Sequence, residues 1–207
     1  MTRLVLVRHA EPEEDARGRC YGTLDVGLSL QGMQHARQLV EALGSLAYEA
    51  VYTSPRTRSV ETARPVAAAR GLTPVVEADL REIDFGRLEG RTYDEIERSE
   101  PELFRAWMET PTLVRFPEGE SYDDLRVRAE RVLDEIRARH SCAVVVTHGG
   151  VVRAGLAAWL RMPGEAIFRL DQRYCGITIV DWLEGTPIVR LVNARVSGGA
   201  LAPSMTD

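Results

Sequence analysis

The sequence contains no lysine, so arginine supplies all 26 of its Lys and Arg positions. That excludes Schiff-base chemistry and the lysine-dependent P-loop. Cysteine is scarce: Cys20, Cys142 and Cys175 are odd in number and lack metal or redox spacing, so reduced thiols in a cytoplasmic protein are expected. No apolar run approaches the roughly 20 residues of a membrane helix, and the first residues enter a strand pattern directly, so no membrane partner is expected. An excess of positive charge is also missing. The net charge of -5 argues against nucleic acid as a partner, since neutralising phosphates needs a basic face. Of the four histidines, no two sit at ligand spacing, and no metal site is expected.

What is present begins with Leu4-Val5-Leu6-Val7, four aliphatics that read as a central parallel strand buried on both faces. The strand stops at Arg8-His9. Ligands sit at the carboxyl ends of strands in open α/β sheets. Arginine offers a permanent fork of donors for phosphate or carboxylate, and histidine a nucleophile or acid/base near neutral pH. A second stretch repeats the design: Ala143 to Val146 is apolar, Thr147-His148 ends it, and Gly149-Gly150 opens a helix. Glycines there allow close backbone approach, and free amides at a helix start favour an anion. Two such strand ends point to one shared anion pocket.

At 207 residues the chain suits one α/β domain. Glu11–Arg19 is expected to be a mobile loop. Ser29 should cap a helix that turns Leu30, Met33, Val40 and Leu43 inward. Strand patterns fall at Glu49–Thr53 and Pro74–Glu77. Between them a helix is expected to take Pro55 into its first turn and to kink at Pro65. Residues 80–91 read as an ordered functional loop, followed by short helices near Tyr93–Arg98 and Glu102–Met108. Ser121 begins a capping box for a long helix with Tyr122, Leu125, Ala129, Val132, Leu133 and Ile136 inward. Strands at Gly176–Leu183 and Pro187–Val192 flank a turn at Glu184-Gly185-Thr186. One domain over residues 1–196 is expected, with a cap-like insertion at 83–120 and a flexible tail at 197–207.

Four motifs in order resemble the histidine phosphatase superfamily, in its phosphoglycerate mutase-like branch. They are Leu6-Val7-Arg8-His9; Ser54-Pro55 with Arg58 and Thr62-Ala63; Leu80-Arg81-Glu82 leading to Phe85-Gly86 and Glu89-Gly90; and Thr147-His148-Gly149-Gly150. The resemblance covers about residues 3–193. It implies a three-layer α/β sandwich, a mainly parallel central sheet with helices on both faces, no cofactor and no metal. It also implies a phosphohistidine on His9. Arg8, Arg58, His148 and the Gly149 backbone would hold the phosphoryl group, and Glu82 would act as general acid and base. The sequence departs from the family pattern where Ala10 replaces a glycine beside the nucleophile. It departs again where Asp15 stands in place of an asparagine, with Arg19 a candidate substitute.

The resemblance leaves three activities: a phosphatase for small phosphomonoesters, of the histidine acid phosphatase type; a phosphoglycerate mutase; and a non-catalytic protein that binds a phosphorylated ligand. The short, acid-rich stretch between Glu82 and His148 favours the phosphatase, because a small cap leaves phosphohistidine open to water. The expected partner is a small phosphorylated metabolite, α-ribazole phosphate and sugar phosphates among the candidates. Tyr21, Phe104, Trp107 and Phe116 could flank its organic part. The alternating pattern at Ile188–Val192 leaves a homodimer open.

Overall fold

A computed structural model describes residues 1–195; the expected tail at 197–207 lies outside the described residues. The strands are β1 (Thr2–Arg8), β2 (Ala50–Thr53), β3 (Val75–Val76), β4 (Cys142–Thr147), β5 (Ile177–Leu183) and β6 (Thr186–Ala194). They form one sheet in the order β3-β2-β4-β1-β5-β6. The first four run parallel, and β5 and β6 add an antiparallel edge. β1 and β4 read as unbroken apolar runs because both of their faces are covered. Leu4 and Leu6 join Ala143 and Val145 in one core, while Val5 and Val7 join Val144 and Val146 in the other. The first core lies under α5 (Tyr122–Arg139) and α6 (Gly149–Trp159), and the second under α1 (Leu30–Ala42) and α2 (Thr57–Ala68). The result is an α/β three-layer sandwich.

Ser29 caps α1 by accepting from Gly32 N. Leu43 is buried and Val40 half-buried as expected, but Leu30 is 81% and Met33 39% exposed, and the buried face of the helix is Gly32, Ala36, Leu39 and Ala42. The first turn of that face is glycine because α1 begins against the chain after β1: a Cβ on Gly32 would stand 2.1 Å from the Glu11 carbonyl. Glu11–Arg19 is likewise more structured than its composition implied. It contains a 3-10 turn at Glu14–Ala16, buries Ala16, and bridges Pro12 to Leu28 and Arg19 to Thr92. Pro55 precedes α2 by two residues, and α2 continues through Pro65. β3 is two residues long and exposed.

Residues 84–120 hold α3 (Tyr93–Ser99), α4 (Pro101–Glu109) and several tight turns. α3 is fixed by a Thr92–Glu95 capping box, and α4 begins at Pro101, where no amide is needed. α5 has the expected Ser121 cap and buries all six residues assigned to its inner face. It also buries Arg128. The β5–β6 turn is Glu184-Gly185, both at positive φ, as a two-residue hairpin twisted with its strands requires; Thr186 already belongs to β6.

Candidate active site

Strand register assembles the site. Arg8 pairs with Thr147 across β1 and β4, and His9 N donates to the Thr147 carbonyl at 2.8 Å. β2 ends beside them, with Ser54 N donating to the Val146 carbonyl at 3.3 Å. His9, His148 and Ser54 therefore meet at the carboxyl edge of the sheet, where strand order reverses around β1. The two imidazole rings lie 5.1 Å apart, and Ser54 Oγ is 2.7 Å from His148 Nε2.

His9 Nδ1 lies 2.8 Å from the Ala10 carbonyl. A carbonyl only accepts, so Nδ1 carries the proton and Nε2 keeps its lone pair, without a protein partner among the described residues. The ring lines a cavity of about 510 Å³. Ala10 does not crowd it. Its methyl packs in the core with Val5 and Val7, while its amide donates to Thr62 Oγ1 at 2.9 Å.

Three arginines of the cavity wall, Arg8, Arg58 and Arg153, have no carboxylate partner among the described residues, whereas most others do. Arg58 is fully buried, a costly position for a cation. It donates to the Tyr21, Gly22 and Leu24 carbonyls, and its buried Nε is unpartnered. Arg8 donates to the Gln172 carbonyl at 2.5 Å and lies 4.2 Å from the centre of the Tyr174 ring; its Nε is also buried and unpartnered. Carbonyl dipoles only partly compensate these charges, and the wall is poised for an anion.

Glu82 faces the same cavity. Its Oε1 accepts from Ile83 N at 3.0 Å and its Oε2 from Gly150 N at 3.1 Å. The Gly150 site is thus shaped by the acid rather than by a ligand: a Cβ there would stand 2.2 Å from Glu82 Oε1. Gly149 opens α6 beside Arg8 and Arg153. The loop bearing Glu82 is pinned from two sides. Thr147 Oγ1 donates to the Leu80 carbonyl, and buried Arg128 donates to the carbonyls of Asp79, Arg81 and Glu82 while forming a two-bond pair with Glu120.

The structure thus brings His9, Glu82, His148, Arg8, Arg58 and Gly149 to one cavity. Asp15 is exposed and outside it, whereas Arg19 lines it. Sequence reasoning missed Arg128, Arg153 and Tyr174. The two arginines had a signal: each is a charge set among apolar positions of a helix. Tyr174 had none. Among the described residues, no group of three or more His, Cys, Asp or Glu side chains is placed to hold a metal, and no helix is long and apolar enough to cross a membrane.

Burial, reinforced by Arg8 and Arg58, pushes the His9 imidazole well below its ordinary value. Burial, then Arg58 and His9, does the same to His148. In the unfolded chain both titrate near pH 6.5. Below that pH the unfolded state therefore binds protons that the native state refuses. Stability should fall as the pH drops from about 6.5, by up to about 1.4 kcal/mol per pH unit for each imidazole. The loss levels off where the native histidines finally protonate. Urea denaturation of phosphate-free protein across pH 7.5 to 5 measures this; a midpoint that stays flat would mean that neither ring is held neutral.

A deep, arginine-walled pocket around two neutral histidines at the strand ends of an α/β sandwich defines a phosphate-handling class. A sequence profile of the histidine phosphatase superfamily (branch 1) matches residues 4–195, and the chain belongs to that family. It is 38% identical over 162 residues to phosphoserine phosphatase 1 of Hydrogenobacter thermophilus, covering 77% of each chain. Among solved structures it resembles Bacillus stearothermophilus YhfR, with a TM-score of 0.87, 31% identity and 98% of each chain covered. It also resembles a mycobacterial glucosyl-3-phosphoglycerate phosphatase in complex with VO3, with a TM-score of 0.86, 28% identity, and 94% of this chain and 100% of that one covered.

Proposed function

We propose that the protein hydrolyses small phosphomonoesters through a phosphohistidine on His9. The observation that carries this reading is the cluster of cavity arginines without carboxylate partners around a histidine whose Nε2 lone pair is free. In the first step Nε2 attacks phosphorus in line, and the P–O bond to the alcohol breaks as the N–P bond forms. Arg8, Arg58, His148 and the Gly149 end of α6 hold the phosphoryl oxygens, which is most of what a phosphoryl-transfer site must do. The Glu82 carboxyl gives its proton to the departing alkoxide. In the second step the Glu82 carboxylate takes a proton from water as that water attacks phosphorus, releasing inorganic phosphate and neutral His9.

Arg153 favours a second reading, since an arginine without a carboxylate partner beside the phosphate end could grip the carboxylate of a phosphoglycerate for mutase transfer. One experiment separates the two. With 3-phosphoglycerate and a bisphosphoglycerate primer, phosphate release should outpace isomerisation, and EDTA should leave hydrolysis of phosphomonoesters unchanged because guanidinium groups do the electrostatic work. Isomerisation faster than release would make the protein a mutase. Chelation that stopped turnover, with zinc or magnesium restoring it, would remove the proposed chemistry.

A further inference from the structure

Aromatic residues are few, with 4 Phe, 3 Trp and 6 Tyr in 207 residues. Their placement is uneven, because all four phenylalanines, Trp107 and three of the tyrosines line the cavity beside His9. Some of these are framework. Trp107 is buried, and the rings of Phe85, Tyr93, Phe104 and Phe116 surround it at 5.0–6.4 Å. Part of this aromatic wall stays open. Tyr93 (42%) and Phe168 (41%) are the two exposed aromatic side chains among the described residues, and both face this cavity, as does Met108 at 43%. Apolar surface left open in a concave wall next to reactive groups is the mark of a binding surface.

The charged side chains of the cavity are one carboxylate, Glu82, and four arginines. Arg19 spends Nε and one Nη on the Asp15 and Gly90 carbonyls. Arg153 donates Nε to the Leu170 carbonyl and lies over the Phe168 ring at 5.8 Å. The acids of α3 and α4, Asp94, Glu95, Glu97, Glu102 and Glu109, do not line the cavity, so that wall offers no carboxylate to the ammonium group of an amino-acid ester.

We infer that the alcohol half of the substrate carries a flat, apolar group, an aromatic ring on a short carbon link, seated against Tyr93, Phe104, Met108 and Phe168 with its phosphate at His9. This rests on the phosphatase reading and narrows it. The test compares 3-phenylpropyl phosphate with propyl phosphate, whose leaving alkoxides are nearly equally basic, so that the ring is the difference between them. Burying a phenyl ring should raise kcat/KM by about 10- to 100-fold. O-phosphoserine should fall below 3-phenylpropyl phosphate. Phe168→Ala, at an exposed position whose loss opens no core cavity, should shrink the ratio between the two propyl esters. Calorimetry with the matching phosphonates should give the same order of affinity without turnover. Equal kcat/KM for the two esters, or a preference for phosphoserine, would overturn the inference and leave the phosphatase reading standing. No turnover of either ester, with the phosphonate preference intact, would remove the hydrolase reading and keep the pocket's preference for a ring.

Discussion

Replacing His9 by alanine should lower turnover by on the order of 10⁴-fold or more, because no other side chain offers a lone pair at that point of the cavity. His148 does not take over the attack: its Nε2 lies 2.7 Å from Ser54 Oγ, and its unpartnered Nδ1 is the atom left to donate to a phosphoryl oxygen. Arg8, Arg58 and the α6 N-terminus remain in the variant, so inorganic phosphate should still bind and raise its melting temperature. That retained effect separates lost chemistry from lost structure. The wild-type protein, quenched during turnover of a labelled ester, should carry an acid-labile, base-stable phosphate, and His9→Ala should carry none. Label that survived in the variant would move the nucleophile elsewhere.

The second large effect concerns Glu82. A general acid matters most where the departing oxygen needs a proton, as with an alkyl phosphate, and least for p-nitrophenyl phosphate, whose phenolate is already stable. Glu82→Gln should therefore cost about 10²–10⁴-fold on an alkyl ester and distinctly less on the nitrophenyl ester. The structure adds a complication that the comparison cancels. Both carboxylate oxygens accept from amides, Ile83 N and Gly150 N, and a glutamine presents an NH₂ to one of them. The resulting displacement acts on both esters alike, so the ratio of losses reports proton delivery. Single-turnover phosphorylation of His9 is the step to measure, because the later hydrolysis also needs Glu82. Equal losses on the two esters would reduce Glu82 to a structural carboxylate.

Those two residues were not equally legible. His9 and His148 stand out because an apolar strand that ends in a histidine breaks its own pattern, and parallel pairing of two such strands then places the endings side by side. Arg58 was less visible, since an arginine on a helix near a glutamate looks like a surface ion pair; only the fold shows it buried against three loop carbonyls. Glu82 came from family resemblance alone, because a loop glutamate in an acidic chain has no pattern to break. The face of α1 was half legible: Leu43 is buried as expected, but at the start of the helix Leu30 and Met33 face outward, because the chain leaving β1 passes Gly32 too closely for any side chain there. Arg128 and Arg153 could have been found by asking why a charge interrupts an inward stripe. The stretch around Tyr174 is irregular, and its approach to Arg8 depends on tertiary contacts that no local period encodes.

The pairing of Arg128 with Glu120 bears on how this protein would fail under stress. Glu120 closes residues 84–120, and its carboxylate accepts from Asp84 N and Arg81 as well as Arg128. One buried cation thus fastens both the exit of that segment and the carbonyl of Glu82 to α5. The end of β4 contributes less, through Thr147 on the Leu80 carbonyl and Gly150 N on one Glu82 oxygen. Damage that frees Arg128 would let the acid drift while His9 and its arginines stay in register. A heat-worn population would then lose the esters that depend on proton delivery first, and keep accepting phosphate from the activated ones, so its apparent specificity would change before its fold did.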